Sequence, residues 1–530
     1  MHPGSEVLVT STIPDEPSTR SSPTPRGTLF VADRVVTLGR GRYKAKAVLV
    51  RGTRVAWVGD DPASAPPAEQ RVDLGGCTLG PGFVDAHAHL TPTGLSLLGL
   101  NLREITTSDE LLRAVRTYAD QHTGRVVMGH GYDPELLEDG LPDPDDLGEA
   151  AGGRAVYLSR IDGHSAMVDG ATLRSAPLAR AAGIATDEDG VPTGVLKRDA
   201  NHVARRWAIG AMSATELAKA RQAAVRHAAS LGVVSVHEMG GPDLMGQPDF
   251  DAWLEGEWPI EVVPYWGGLD PAFATQRGLK QLGGDIFLDG SLGSHTAALD
   301  APYTDHDSAG RLEFDDASLV DVFRQGVEHG LQIGVHAIGD AAIRQAVRCW
   351  QQVAGSLPDH LDGAVERSRH RIEHAEVMPP DLYRPLADLG LVVSAQPAFE
   401  HLWGGPGGLY ERRLGTERRR WTNPFRPLAD RGVPLAFGSD SNVTSLHPWL
   451  AVYAAQHHPE ELHRLNRLEA VSASILGGRY AARQERFVGA IRAGFRADLA
   501  AWEGDPFAAD DPRGARCVLT IAEGRVVHEA

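Results

Sequence analysis

Two histidines that lie two positions apart, His87 and His89, follow the mostly apolar run 83–86. In an extended strand, residues i and i+2 point to the same face, so both imidazoles can reach one metal ion. Neutral imidazole is also the commonest metal ligand among side chains. The chain contains 22 histidines, however, so two of them can lie this close by chance. Alone, the motif supports a metal site and a coincidence equally.

Three further strand-like segments end in a residue that binds metals. His336 and His374 each end an apolar segment, and Asp440 ends the segment 435–440. Each of them, taken singly, has an alternative interpretation as a capping or hydrogen-bonded residue. The ends of parallel strands in a barrel converge on one axis, so all of them would meet there. Together they supply nitrogen and oxygen ligands suited to one or two divalent ions such as Zn²⁺.

Polar residues in two loops are candidates for binding a substrate. They are Arg160, Asp162 and His164 after the segment 155–159, and Asp289, Ser291 and His295 at and after the end of the segment 285–289. The first three could orient a substrate or stabilise an oxyanion. An equally supported interpretation is that these charged loop residues only pair with one another.

The elements that position these residues alternate in type through the middle of the chain. Amphipathic helices are predicted at 107–121 and 213–230, where Thr107 and Ser213 have capping-box spacing to a glutamate. Alternating strands and helices imply parallel βαβ units and an α/β fold. The number of units favours a (β/α)₈ TIM-type barrel with insertions over an open sheet, and no glycine-rich phosphate loop follows a strand. The predicted strands are 82–86, 125–129, 155–159, 233–237, 261–265, 285–289, 332–336, 371–374, 392–396 and 434–439.

Both ends of the chain have short β-rich segments instead. These predict one small, discontinuous β-sandwich domain formed by residues 27–80 and 485–530, because chain termini often lie close together. The barrel is then predicted at 81–484. Residues 1–26 are rich in Ser, Thr, Pro and charge and lack the features of a signal peptide, so we expect a disordered tail.

The composition excludes several classes of partner. The 530 residues carry a formal net charge of −18, which argues against nucleic acid and anionic membranes as partners. No apolar run is long enough to span a bilayer. Three scattered cysteines fit a reducing cytoplasm without disulfides. We therefore expect a cytoplasmic protein with a small-molecule substrate; whether it forms a homo-oligomer is open.

The motifs, taken in order, resemble the amidohydrolase superfamily, and within it the family 3 branch that includes N-substituted formamide deformylase. The resemblance runs through nearly the whole predicted barrel and into the last β-rich segment. The matching segments are 80–89 (GPGFVDAHAH), 162–165 (DGHS), 192–196 (PTGVL), 288–294 (LDGSLGS), 335–340 (VHAIGD), 372–375 (IEHA), 437–440 (FGSD) and 493–499 (AGFRADL).

The resemblance implies a barrel flanked by a β-sandwich and hydrolysis of a C–N bond by metal-activated water. By analogy with the family, the four histidines are metal ligands: His87, His89, His336 and His374. Asp440 would contact the metal and its water, acting as general base and then as acid toward the leaving amine. Metal ions and neighbouring carboxylates do perform these two roles in hydrolysis.

One position departs from the family pattern. Relatives commonly have a lysine, often carboxylated to bridge two metals, where this chain has Asp285. Aspartate offers the same kind of oxygen ligand on a much shorter stem. Asp285 is therefore a candidate ligand in either a single-metal site or a pair of metals bridged differently.

Three functions remain open at this point. The first is hydrolysis of a linear amide, such as an N-substituted formamide. The second is a deaminase or cyclic-amide hydrolase on the same scaffold, because fold analogy does not distinguish these reactions. The third is a non-catalytic metabolite-binding barrel, which predicts missing ligands, whereas all four histidines and Asp440 are in place.

Overall fold

The computed structural model describes residues 27–39 and 45–530, so the predicted tail at 1–26 lies outside the described residues. The strands are β1 (Thr28–Val35), β2 (Ala45–Arg51), β3 (Arg54–Gly59), β4 (Gln70–Pro81), β5 (Phe83–Ala88), β6 (Leu100–Asn101), β7 (Val126–Tyr132), β8 (Ala155–Arg160), β9 (Ser165–Val168), β10 (Ile184–Thr186), β11 (Pro192–Lys197), β12 (Val233–Gly240), β13 (Glu261–Trp266), β14 (Gln281–Leu282), β15 (Gln332–Ala337), β16 (Arg371–His374), β17 (Val392–Ala395), β18 (Leu435–Phe437), β19 (Leu499–Glu503), β20 (Cys517–Ala522) and β21 (Arg525–Glu529).

The α-helices are α1 (Leu90–Leu98), α2 (Ser108–Gln121), α3 (Pro144–Ala150), α4 (Gly170–Ser175), α5 (Arg198–Gly210), α6 (Ala214–Ser230), α7 (Gln247–Glu255), α8 (Pro271–Gln276), α9 (Asp316–Glu328), α10 (Asp340–Ala354), α11 (Ala364–Ser368), α12 (Tyr383–Asp388), α13 (Pro397–Trp403), α14 (Leu409–Arg419), α15 (Phe425–Asp430), α16 (Pro448–Gln456), α17 (Arg467–Ser472) and α18 (Gly478–Ala481). Short 3₁₀ turns occupy Pro62–Ser64, Asp359–Leu361, Pro380–Leu382 and Glu461–His463, and a π-helical stretch, Ala473–Gly477, joins α17 to α18. Both predicted helix starts are present as α2 and α6, and Ser213 forms a full capping box with Glu216.

Parallel strands form the centre of the molecule. One sheet has the order β13-β12-β5 and another the order β14-β15-β16-β17-β18. Backbone hydrogen bonds connect them at both edges: Gly283 N donates to Trp266 O at 2.7 Å, and Asp440 N donates to His87 O at 2.7 Å. The largest buried apolar cluster packs these strands against the surrounding helices. This arrangement confirms the predicted α/β class.

The predicted strand 285–289 is wrong. Only Phe287 pairs there, in a single parallel bridge with His336. The chain reaches this segment through Gly283 and Gly284, both with positive φ, and a side chain at Gly283 would come within 2.0 Å of Gly334 O. Two consecutive left-handed residues interrupt a strand, although the apolar pattern that follows them resembles one.

Two other predicted strands do not join the parallel centre. The segments 125–129 and 155–159 form β7 and β8 of a separate mixed sheet, ordered β10-β11-β9-β8-β7-β6. This sheet has its own apolar clusters. The prediction of these two strands is confirmed, but an apolar run does not identify the sheet that a buried strand joins.

The two ends of the chain share one sheet. Its order, β21-β20-β19-β4-β1-β2-β3, places the long strand β4 between strands from the first and last parts of the chain. These hydrogen bonds form a single seven-stranded sheet around a separate apolar cluster. Among the described residues, no helix combines the length and apolar character that crossing a membrane requires.

A buried ion-pair cluster joins the terminal sheet to the parallel strands. Arg479 donates to Asp498 at 2.8 Å and also pairs with Glu261 of β13. Arg479→Ala is expected to destabilise the fold by about 3 kcal/mol, because it leaves buried carboxylates short of a partner. Arg384→Ala, which removes the exposed pair with Asp388, should change stability by less than about 1 kcal/mol. Urea denaturation compares the two variants, and equal losses would contradict a stabilising role for the cluster.

Candidate metal centre

The histidine pair lies where β5 ends and α1 begins. Nδ1 of His87 lies 2.9 Å from Oε2 of Glu373, and Nδ1 of His89 lies 2.9 Å from the carbonyl oxygen of Met239. Both partners are acceptors, so each Nδ1 carries the proton and donates. When a ring is neutral, its Nε2 then keeps the lone pair that a metal ligand needs.

The other two histidines lie on neighbouring parallel strands, with ring centroids 4.4 Å apart. Nδ1 of His374 lies 2.9 Å from Oε1 of Gln396, which leaves its Nε2 free. His336 is turned the other way: its Nε2 lies 3.2 Å from the Gly290 carbonyl, and its Nδ1 lies 3.7 Å from Asp285. Three of the rings thus offer Nε2, and His336 offers Nδ1.

The Asp285 carboxylate lies between the two pairs of histidines. Its Oδ1 is 3.7 Å from His87 Nε2 and 3.7 Å from His336 Nδ1, while its Oδ2 is 3.4 Å from His89 Nε2. Burial alone would raise the pKa of Asp285, but the surrounding imidazoles, His87 first, hold it well below its usual range. The short side chain therefore brings an ionised carboxylate close to both pairs.

Asp440 faces the cluster from the loop after β18. Its Oδ1 is 3.0 Å from His89 Nε2 and 3.6 Å from His87 Nε2. Its backbone has φ of +51°, and His374 has +67°. Left-handed backbone is uncommon outside glycine, and such residues concentrate at functional sites.

Several buried polar atoms of this cluster lack a hydrogen-bond partner in the described part of the chain. Four buried atoms have no hydrogen-bond partner among the described residues: His87 Nε2, Asp285 Oδ1, His336 Nδ1 and Asp440 Oδ1. Leaving a buried polar atom unpaired is unfavourable by about 1–3 kcal/mol, so four in one place require an explanation. Imidazole nitrogens and carboxylate oxygens at these distances fit one or two divalent cations.

A cavity of about 130 Å³ opens beside the cluster. His89, Asp285, His336, His374 and Asp440 line its inner end. Much of its remaining wall is apolar, and part of that wall comes from the separate mixed sheet. A smaller cavity of about 40 Å³ adjoins the cluster and is also lined by His374 and Asp440.

Four of the predicted substrate-binding residues meet at these cavities. Asp162 pairs with Arg160, accepts from Ser291 Oγ at 2.8 Å and from the backbone N–H of His164 at 3.1 Å. Burial raises the pKa of Asp162, but Arg160 and its other partners outweigh this and lower it to about 2. These residues therefore pair with one another and also line the cavities, so the two interpretations of the loop residues are compatible.

Comparison with known proteins identifies the family. The family model described as amidohydrolase family matches residues 70–528 of this chain. The chain belongs to the amidohydrolase family. This assignment confirms the predicted enzyme class, a hydrolase acting on carbon–nitrogen bonds, and the resemblance from which it was drawn.

Individual relatives of this amidohydrolase cover almost its full length. It is 27% identical to the putative amidohydrolase YtcJ of Bacillus subtilis, over 87% of this chain and 91% of that protein. It is 23% identical to the N-substituted formamide deformylase of Arthrobacter pascens, over 95% and 98%. An uncharacterised metal-dependent hydrolase of Pyrococcus furiosus has a similar structure, with a TM-score of 0.70 and 26% identity over 91% of this chain and 100% of that one.

The residues that hold the imidazoles of this amidohydrolase were not predicted from the sequence. Glu373 accepts a hydrogen bond from His87. It also accepts two hydrogen bonds of 2.8 Å from Arg371. Gln396 holds His374 from the next strand. Their positions could have indicated both residues, because Glu373 immediately precedes His374 and Gln396 directly follows β17. Their partners, however, lie far away along the chain or on another strand.

The other two predicted substrate-binding residues, Asp289 and His295, make different contacts. The Asp289 carboxylate accepts from the backbone N–H groups of Ala298, Ile338 and Gly339, and so ties loops together. His295 pairs with Asp305 at 3.1 Å and lines neither cavity beside the cluster. The structure therefore does not bring His295 to the cluster, and its backbone there is left-handed, with φ of +55°.

The amide of Gln396 provides a test of how the ligands are oriented. Gln396→Leu removes the acceptor for His374 Nδ1 at similar volume, so Zn²⁺ affinity is expected to fall by about 10- to 100-fold. Chelator competition measures this affinity. Gln325→Leu, on the surface of α9, removes an amide that contacts Asp321 and should leave affinity unchanged. Equal affinity in the two variants would rule out an orienting role for Gln396.

Proposed function

We propose that this amidohydrolase is a metal-dependent enzyme that cleaves an amide or formamide-type C–N bond with water. Six side chains would hold the metal: His87, His89, His336, His374, Asp285 and Asp440. The observation that carries the proposal is the convergence of four buried polar atoms without protein partners on one point beside a cavity.

The same proposal includes the finer architecture. The eight parallel segments, from β5 round to β18, would close into a (β/α)₈ barrel, and the terminal sheet would form the sandwich domain at 27–80 and 485–530. The two backbone links at Gly283 and Asp440 support closure. The position of the cluster at the carboxyl ends of the strands is where such barrels have their active sites.

The metal count follows from Asp285. We propose that the six side chains would hold two ions, zinc being the best match for the ligand set, and that Asp285 would serve both histidine pairs. The distances of 3.4–3.7 Å from its oxygens to nitrogens of both histidine pairs support this arrangement. When bound, such ions supply Lewis acidity, which acidifies water and polarises a scissile carbonyl.

Asp440 is the proposed general base and acid. Its Oδ1 is buried and makes no hydrogen bond to the described residues, so it is available to accept a proton from the attacking water. The water oxygen bonds to the carbonyl carbon, the C–N bond breaks, and the proton passes from Asp440 to the amine nitrogen. Arg160, Asp162, His164 and Ser291 would shape the adjacent wall for the substrate.

The role of Asp440 is tested by Asp440→Asn. The amide keeps the shape and one oxygen ligand but does not accept the proton, so kcat is expected to fall by about 10²- to 10⁴-fold with metal retained. Steady-state kinetics and metal analysis measure both properties. Asp430→Asn, an exposed aspartate, is the control, and unchanged turnover in Asp440→Asn would remove this residue from the mechanism.

A hydrolysis screen over formamides, linear amides, cyclic imides and lactones supplies the substrate for that measurement. Release of formate or another acid together with an amine supports the proposal. Release of ammonia without a carboxylic acid supports the deaminase alternative instead, and opening of a cyclic imide without loss of an amine supports the cyclic-amide alternative. A metal-loaded protein inactive on every member would contradict hydrolysis of this bond class.

Metal content tests the arrangement around Asp285. The purified enzyme is expected to hold about two ions per chain, as in other two-metal hydrolases. Asp285→Ala should hold one or fewer, because both sites lose the shared carboxylate. Asp307→Ala, at an exposed position, should hold as many as the unmodified protein. A single tightly held ion in the unmodified protein would favour the single-metal alternative.

A further inference from the structure

The wall of the cavity of about 130 Å³ contains one formal cation from lysine or arginine among the described residues that line it, Arg205 of α5. Its Nε donates to Tyr157 Oη at 3.2 Å, and its Nη2 donates to the Gly163 carbonyl. Tyr157 Oη donates in turn to Asn201 Oδ1 at 2.8 Å. Neutral groups alone therefore hold the guanidinium, and its Nη1 makes no hydrogen bond to the described residues.

Arg205 differs from the buried arginines in the groups that its guanidinium contacts. Throughout the described ranges, each buried arginine forms an ion pair with at least one carboxylate: Arg160 with Asp162, Arg371 with Glu373, Arg413 with Asp305, Arg419 with Glu460 and Arg479 with Asp498. Arg205 is half-buried and has no carboxylate within 4.0 Å in the described chain. Its charge faces the cavity without compensation.

The surroundings of Arg205 do not supply a negative charge. Asp162, the carboxylate on its side of the cavity, already pairs with Arg160. The pKa of the His130 imidazole is lowered to about 3, first by burial and then by the positive charge of Arg103. This ring adds no charge of its own, so an anion bound here would meet the unpaired positive charge of Arg205.

The rest of the wall is apolar. Side chains from α1, the mixed sheet, α5 and the following loops face the cavity, and they include Leu95, Leu100, Met128, Ile209 and Leu244. A volume of about 130 Å³ accommodates a medium-sized aliphatic or aromatic group. The cavity thus combines an apolar wall with one unpaired guanidinium.

Arg205 also lies close to the proposed reaction centre. It contacts Gly163, whose neighbour His164 has its ring 5.1 Å from that of His336. A group bound by Arg205 is therefore separated from the metal ligands by about one side chain. That spacing suits a carboxylate attached near the scissile amide rather than one at the end of a long chain.

We propose that Arg205 binds a carboxylate of the substrate, so that the enzyme hydrolyses amides that combine an apolar side chain with a nearby carboxylate, as N-acylated apolar amino acids do. A planar guanidinium matches a carboxylate through paired, charge-assisted hydrogen bonds. A single cation matches a monoanion rather than a phosphate dianion. This inference rests on the proposed C–N hydrolysis and adds the substrate class.

The test compares substrates that differ only in charge. N-formyl and N-acetyl leucine, in both enantiomers, are each paired with the corresponding leucinamide, and kcat/KM is measured with the metal-loaded enzyme. The acid is expected to be the better substrate by at least tenfold. Arg205→Gln should lower kcat/KM for the acid by about 10- to 100-fold, mainly through KM, and leave the leucinamide unchanged.

Two further variants control for folding and for general electrostatics. Arg205→Lys keeps the charge but loses the paired geometry, so a smaller loss is expected. Arg206→Gln removes the neighbouring exposed arginine, which pairs with Asp243, and should behave like the unmodified enzyme. Circular dichroism and metal content verify that each variant folds and is loaded.

The remaining outcomes overturn the inference. Equal loss on acid and leucinamide in Arg205→Gln, or a preference of the unmodified enzyme for the leucinamide, would contradict a carboxylate site while leaving C–N hydrolysis standing. If no amide is hydrolysed, the proposed function fails, and calorimetric binding of 4-methylpentanoate against 4-methylpentanamide decides the carboxylate site separately. Equal affinity of Arg205→Gln and Arg206→Gln for the carboxylate would then refute it.

Discussion

The site depends on one electrostatic constraint, an ionised carboxylate held inside a buried group of imidazoles. Transferring an unpaired charge from water into a protein interior is unfavourable by several kcal/mol unless an opposite charge compensates it. Asp285 has no strong donor among its described neighbours, since its oxygens lie 3.4 Å or more from the histidine nitrogens. The surrounding imidazoles favour the ionised form of Asp285 from these distances, and a cation between these side chains is the further compensation that their chemistry favours.

The parallel strands fix the orientation of the proposed ligands, because residues on or next to these strands accept hydrogen bonds from three of the rings. His89 of the β5 end is fixed by Met239 of the neighbouring strand β12, and His374 of β16 by Gln396 at the end of β17. His87 is fixed across the centre by Glu373. With each Nδ1–H engaged, those three rings do not rotate to satisfy Asp285 and so remain preorganised as ligands.

The parts of the site that were predictable are those that the sequence encodes locally. His87 and His89 are two positions apart, and His336, His374 and Asp440 each end an apolar run, so their convergence follows from parallel strands alone. The wrong prediction of a strand at 285–289 has a local cause too, in the consecutive glycines before it. Arg205 and the role of Glu373 were not predictable, because they depend on contacts across 42 and 286 residues.

Because β7 and β8 belong to a separate sheet, the metal cluster and the cavity wall beside it are built by different sheets. The proposed metal ligands come from the ends of the parallel strands, whereas Met128 and Tyr157 of the mixed sheet, with Arg205 of α5, form the wall that a substrate would contact. The mixed sheet packs around its own apolar clusters, so its side chains can change with little effect on the packing behind the ligands. The proposed bond cleavage and the proposed choice of substrate therefore rest on different parts of the chain. A change in substrate range then requires only substitutions in the wall, because the imidazoles are held by contacts that the wall does not make.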